Sequence, residues 1–190
     1  MRIVTTLAVS ALALGIAQPA LADRPYQIET LAEGIDTPWG MAFLPGTSDI
    51  IMTGRLGEVM IYDADSGDIV EISGAPEVDS RGQGGLLDIE PAPDFAESQM
   101  LYMTWSADVG GGDTTTMLGR AVLDRDGGTL TDLEELFEVS PAMDSQAHYG
   151  SRIVFADGHV YVSLGTATRR ISAPTTSRRI APARTARSSA

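Results

Sequence analysis

Cysteine is absent from the 190-residue chain, which excludes both a disulfide framework and thiolate chemistry. Stability must therefore come from packing, and any metal must be held by oxygen or histidine. Lysine is absent as well, so all 13 basic residues are arginines. Histidine occurs only at 148 and 159. Beyond residue 22 no apolar run approaches the roughly 20 residues of a bilayer-spanning helix. Clustered cations are missing from the body of the chain. All 26 acidic residues lie between Asp23 and Gly165, beside only six arginines (24, 55, 81, 120, 125 and 152). Nucleic acid and anionic membrane surfaces are excluded as partners of such a body, because neutralising phosphate needs grouped positive charge.

The two ends differ from the middle. Residues 1–22, "MRIVTTLAVSALALGIAQPALA", carry Arg2, an apolar run and a closing Ala-Leu-Ala, the layout of a cleaved secretory signal. Export to the periplasm or medium is expected, with Asp23 opening the mature chain and no membrane insertion after cleavage. Residues 166–190, "TATRRISAPTTSRRIAPARTARSSA", hold six arginines and no aromatic, acidic residue or glycine. That composition cannot build a core. It reads either as a disordered basic tail or as the product of a frameshift after Gly165.

Residues 23–165 read as β-structure. "GMAFLP" (40–45), "IIMTGR" (50–55), "GEVMIYDA" (57–64), "LLDIEPAP" (86–93), "MLYMTWSA" (100–107), "TTMLGRAVLD" (115–124), "SRIVFA" (151–156) and "HVYVSLG" (159–165) are short apolar runs bounded by Gly, Pro and Asp. "DADSGD" (63–68), "DRDGG" (124–128) and "ADGH" (156–159) place hairpin-turn residues between them. "DADSGD" also mimics the start of an EF-hand loop, but the twelfth position is Gly74 instead of Glu, which favours the turn. Helical periodicity is confined to "LTDLEELFEV" (130–139), which also suits a turn leading into a strand. The glycine-rich "ADVGGGDTTT" (107–116) is expected to be a loop insertion.

The scheme of a leading loop, a strand, a turn and a second strand occurs three times. Taking Met41, Leu87 and Ile153 as equivalent, the pattern suits an all-β propeller whose blades carry insertions. Two blades and the start of a third are expected, about a third of a ring.

Leading loops of a propeller's inner strands form one mouth of the axial channel, where ligands bind. His148 lies in such a loop, and an imidazole there can accept a proton near neutral pH. A structural loop histidine is the competing reading. Gln83, in "SRGQGGLLDI", occupies the equivalent loop of the preceding blade, where glycines 82, 84 and 85 allow a neutral amide to be aimed inward. A solvated glutamine in a glycine turn is the alternative. His159 directly follows an Asp-Gly turn and is read as an inert surface residue.

"LAEGIDTPWGMAFLP" (31–45), "RGQGGLLDIEPAPDF" (81–95) and "HYGSRIVF" (148–155), in that order, resemble the soluble pyrroloquinoline quinone (PQQ)-dependent aldose sugar dehydrogenases of the glucose/sorbosone dehydrogenase family. The resemblance runs over residues 26–165. It implies a six-bladed β-propeller with PQQ and calcium at the channel mouth, an aldose sugar as substrate and an external electron acceptor. It further implies that His148 removes the proton from the anomeric hydroxyl while hydride leaves for the quinone, with Gln83 beside substrate and cofactor. Two departures stand out. Ala147 replaces an aspartate that precedes the histidine in glucose-oxidising members, and nothing in residues 166–190 matches the cations and backbone oxygens that hold PQQ and calcium there. No metal ligand is therefore assigned, and a chain of two to three blades is expected to have little activity. An exported, non-enzymatic propeller that binds carbohydrate or protein is the second reading. A lactonase-type propeller would need axial carboxylates that the leading loops lack.

Overall fold

The computed structural model describes residues 26–165, so the expected signal segment and the basic tail lie outside the described residues. The described residues fall into two units, 26–30 and 31–165. In the first, residues 26–30 are exposed and lack regular structure.

The second unit is built of antiparallel meanders. β1 (Pro38–Phe43), β2 (Ile50–Gly54), β3 (Val59–Tyr62) and β4 (Ile69–Ile72) pair in sequence order as one four-stranded sheet. A second sheet has β5 (Leu86–Pro91), β6 (Met100–Gly110), β7 (Asp113–Asp124) and β8 (Thr129–Glu138), with a single helical turn, α1 (Phe95–Ser98), between its first two strands. β9 (Gly150–Ala156) and β10 (His159–Leu164) form a hairpin. These are two blades and the opening of a third in an all-β protein of the propeller type, as the sequence pattern indicates. No described helix is long and apolar enough to cross a membrane.

Packing between the blades explains the strand patterns. β2 is buried along its whole length, whereas β3 alternates, with Val59 and Ile61 turned inward. Leu86, Ile89, Leu101 and Met103 of the second sheet are fully buried with Ile51 and Val59 of the first in one cluster. Burial of each such side chain contributes about 1.5–3 kcal/mol. The 63–68 stretch is a hairpin turn: Asp63 Oδ1 accepts from the N–H groups of Asp65 (3.0 Å) and Ser66 (2.9 Å).

Residues 129–138, whose sequence left helical periodicity and a turn into a strand both open, form a ten-residue strand; as the outer strand of its blade it is exposed over most of its length, so no two-residue alternation is imposed on its sequence. Two expectations change. The 107–116 stretch is not a loop insertion, because β6 and β7 pair as far as Gly110 and Asp113, leaving a tight turn at Gly111 and Gly112. Finally, the equivalent of Met41 and Ile153 is Ile89, not Leu87. Met41 faces Met52, Ile89 faces Met103 and Ile153 faces Val162 at the same place in each blade.

That register exposes a repeated device. In each blade the first strand spends one extra residue against the second, between Pro38 and Met41, between Leu86 and Ile89, and between Gly150 and Ile153. Such a bulge leaves a backbone N–H without a ladder partner. A hydroxyl on the second strand accepts it each time: Gly40 N–H to Thr53 (2.8 Å), Asp88 N–H to Thr104 (3.1 Å) and Arg152 N–H to Ser163 (3.0 Å). The Thr53 hydroxyl then donates to Leu87 C=O (2.6 Å), and that of Thr104 to Ser151 C=O (3.0 Å), each in the bulge of the following blade. A polar relay thus runs from bulge to bulge. Among the described residues, the Ser163 hydroxyl has no carbonyl to donate to.

Candidate active site

The two loops that lead into β5 and β9 meet. Gln83 N–H donates to Gln146 C=O (2.8 Å), and His148 N–H donates to the Gln83 side-chain oxygen (3.0 Å). Residues separated by 65 positions are thereby joined through one side chain, and both are exposed. With its oxygen engaged, the Gln83 amide keeps its NH2 group for a ligand. Gly82, at φ +56°, faces Gln146 so closely that a Cβ would collide with the Gln146 carbonyl; the seam admits only glycine there.

Below Gln83 the loop is tied down from several sides. The Ser106 hydroxyl is buried, donates to Asp79 C=O (2.6 Å) and accepts Gly85 N–H (2.6 Å). Arg81 clasps the Asp79 carboxylate, with Nη2 to Oδ2 at 2.5 Å, and reaches Asp108 at 2.9 Å. Hydrogen bonding from Arg81 holds the Asp79 carboxyl below the usual carboxylate range and raises the guanidinium in turn. From the first blade, Arg55 Nη1 donates to the carbonyls of Ser80 (2.7 Å), Gly84 (3.1 Å) and Gly82 (3.2 Å).

His148 itself has φ +63°, a strained conformation for a non-glycine residue. Its neighbours enforce it. Tyr149 is buried, its hydroxyl lies 2.8 Å from that of Thr114, and its carbonyl accepts from Thr116 (3.0 Å). Thr114 also hydrogen-bonds Ser145 C=O. His148 lines a cavity of about 170 Å³ together with Thr115, Ser140, Ser145 and Tyr149. That is smaller than the roughly 300–1,000 Å³ of drug-sized pockets, and Val139, Pro141, Met143 and Leu164 give it an apolar side. Among the described residues no side chain hydrogen-bonds the imidazole, in keeping with Ala147 at the preceding position. His159 has its Nδ1 2.7 Å from Asp157 C=O in the β9–β10 turn, away from this cavity.

The seam between blades two and three also buries charge. Asp88 accepts Ile153 N–H at 2.7 Å and pairs with Arg152 at 3.0 Å. Burial pushes its carboxyl up against the pull of both partners, and burial, reinforced by the Asp88 charge, pushes up Glu90. Neither the Arg55 clamp nor the Tyr149–Thr114 contact was anticipated from the sequence, because no local pattern marks a partner 25 or more residues away.

A PQQ molecule brings several carboxylates, yet Arg81 and Arg152 are spent on Asp79, Asp108 and Asp88, and Arg55 on carbonyls. Among the described residues no three His, Asp or Glu side chains converge to hold calcium. Among the described residues these three arginines are thus engaged within the protein, and no side-chain cluster for calcium is present.

Comparison with known proteins agrees with this layout. The family described as Glucose / Sorbosone dehydrogenase matches residues 35–180. The chain is 35% identical over 153 residues to Aldose sugar dehydrogenase YliI of Escherichia coli (strain K12), covering 80% of this chain and 41% of that protein. The solved apo-form of the soluble aldose sugar dehydrogenase of Escherichia coli superposes with a TM-score of 0.68 and 36% identity over 72% of this chain and 40% of that one. The PQQ-bound aldose sugar dehydrogenase of Streptomyces coelicolor gives 0.64 and 29% over 75% and 42%. The chain thus spans about two fifths of the length of these relatives. With two meandering blades, a third begun, and a glutamine and a histidine joined at their leading loops, the chain belongs to the glucose/sorbosone dehydrogenase family.

Proposed function

We propose that this chain supplies the proton-accepting part of an exported, PQQ-dependent enzyme that oxidises aldose sugars to lactones and passes the electrons to an external acceptor. The observation that carries the reading is the 3.0 Å bond between the His148 backbone and the Gln83 side chain, which joins the two candidate residues at the meeting of their leading loops, where His148 lines a cavity.

Oxidation at an anomeric carbon removes a hydride from carbon and a proton from its hydroxyl, and the chain's own residues serve the second task. The exposed imidazole of His148 takes the proton, while its main chain is held by Gln83 and by the anchoring of Tyr149. Gln83 offers its remaining NH2 to a sugar oxygen, and Thr115, Ser140 and Ser145 line the cavity beside His148. When bound, PQQ supplies the two-electron acceptor. Groups for its carboxylates and for calcium belong outside the described residues.

A chimera carrying residues 35–165 in place of the matching segment of the Escherichia coli aldose sugar dehydrogenase tests this. Given PQQ, calcium and a dye acceptor, it should oxidise aldoses, and His148→Ala should reduce kcat by about 10²–10⁴-fold, the range of general-base catalysis. Turnover unchanged by that substitution rejects the assignment. A chimera that binds sugar but never retains PQQ favours a carbohydrate-binding module instead.

A further inference from the structure

Five arginines lie among the described residues, and four of them, Arg81, Arg120, Arg125 and Arg152, sit in ion pairs with carboxylates. Arg55 does not, although the chain is rich in acid. Its Nη1 faces three backbone carbonyls of one loop, at Ser80 (2.7 Å), Gly84 (3.1 Å) and Gly82 (3.2 Å). Its own main chain is fixed as well: Arg55 N–H donates to Thr37 C=O (3.1 Å), and its carbonyl accepts Leu86 N–H (3.2 Å). The guanidinium is therefore delivered from the first blade on an anchored stem.

Three carbonyl dipoles turned towards one point repel one another unless a cation sits there. Residues 82 and 84 are glycines, without side chains of their own to hold that arrangement. With the carbonyls of the loop drawn towards Arg55, the N–H of Gln83 is left to the other side, where it meets Gln146, and the Gln83 side chain meets His148. We infer that Arg55 is a positioning residue: by gathering the carbonyls of residues 80–84 it sets the Gln83–His148 junction, and through it the attitude of the proposed base. The effect on proton transfer rests on the reading of His148 given above, but the effect on the junction does not.

Amide hydrogen exchange of the full chain, resolved at single residues, tests the junction without any cofactor. Arg55→Met keeps the apolar stem and removes the donors. It should accelerate exchange at the Gln83 and His148 amides by about tenfold or more, the loss expected for a charge-assisted bond, and leave Ile61 and Met103 unchanged. Arg55→Lys restores a cation on a similar stem and should recover most of the protection. Gln83→Ala should free the His148 amide alone, and adding Arg55→Met to it should speed that amide no further, because both act through one bond. If Arg55→Met loosens every amide, Arg55→Lys decides. In that case recovery of the 83 and 148 amides by lysine supports the role and no recovery overturns it. Where Arg55→Met leaves the rest of the chain unchanged, acceleration confined to residues 83 and 148 supports the role and none at those residues overturns it. In the chimera, Arg55→Met should lower kcat and displace the pH–rate profile; a freed junction with unchanged kcat would sink the base reading while leaving the positioning role intact.

Discussion

Thr104→Val is nearly isosteric, so its cost isolates one hydroxyl of the relay between blades. In the folded protein that hydroxyl accepts Asp88 N–H at 3.1 Å and donates to Ser151 C=O at 3.0 Å, and Asp88, Thr104 and Ser151 are all buried. Valine leaves both backbone groups without a partner and without water. Each orphaned group costs about 1–3 kcal/mol, so for the two a loss of about 2–6 kcal/mol is expected. Against a whole-domain stability of about 5–15 kcal/mol this is large, and it corresponds to a fall in Tm on the order of 10 °C. Urea unfolding should show the midpoint displaced with the slope unchanged. Thr104→Ser keeps the hydroxyl and should lose only the packing of a methyl group, about 1 kcal/mol or less. Ser163→Ala provides the internal comparison. Among the described residues its single partner is the N–H of exposed Arg152, which water can satisfy, and the cost should stay below about 1 kcal/mol. A Thr104→Val protein within about 0.5 kcal/mol of the parent, or no weaker than Ser163→Ala, would refute the relay as a source of stability.

Stability should also depend on pH in two opposed ways. Asp49, held down by Ala64 N–H and Arg125, and Asp79, held down by Arg81, titrate lower folded than unfolded; their contribution is present above the unfolded value, near 4, and is lost as pH falls through the folded one. Asp88 and Glu90 are raised by burial, so their penalty is full above the folded value and is relieved as pH drops towards the unfolded one. Urea midpoints should therefore peak on the acidic side of neutrality and collapse below about pH 4, and a midpoint that climbs steadily from pH 5 to 8 would contradict the burial of Asp88. Gly119→Ala should overpack the second blade, because the new methyl would stand 2.7 Å from Trp105 Cη2 and 2.8 Å from the Glu134 carbonyl. In a Trp39→Phe background, a red-shifted Trp105 emission and a loss of about 1–3 kcal/mol are expected, and an unaltered spectrum and midpoint would overturn that packing.

The sequence carried those features whose cause is local. Turn residues at 63–68 and 156–159, and short β-branched runs such as "IIMTG", announce their conformation through their own side chains, and the meander follows from them. The glycines around Gln83 likewise advertise close approach before the neighbour, Gln146, is known. Thr53 and Thr104 carried no such mark. Each looks like an ordinary strand threonine, because its decisive partner lies 34 or 47 residues further on. The bulge between Leu86 and Ile89 hid the true equivalence with Met41, since an extra residue on one strand cannot be seen without the strand opposite. β4 and β8 were obscure for a different reason. As outer strands with mostly exposed side chains they need no apolar face, so their composition is set by solvent. Arg55 combined both difficulties, being a single cation whose partners are main-chain atoms of another blade.

The relay from bulge to bulge changes what counts as a module. A cassette cut to match one four-stranded sheet would sever a threonine from its acceptor at each border. One that runs from the second strand of a sheet through the first strand of the next would carry a complete donor–acceptor pair. For anyone recombining or transplanting pieces of such a chain, each hydroxyl belongs to two sheets at once, so the visible gap between sheets is no cleaner a place to cut than the sheet itself.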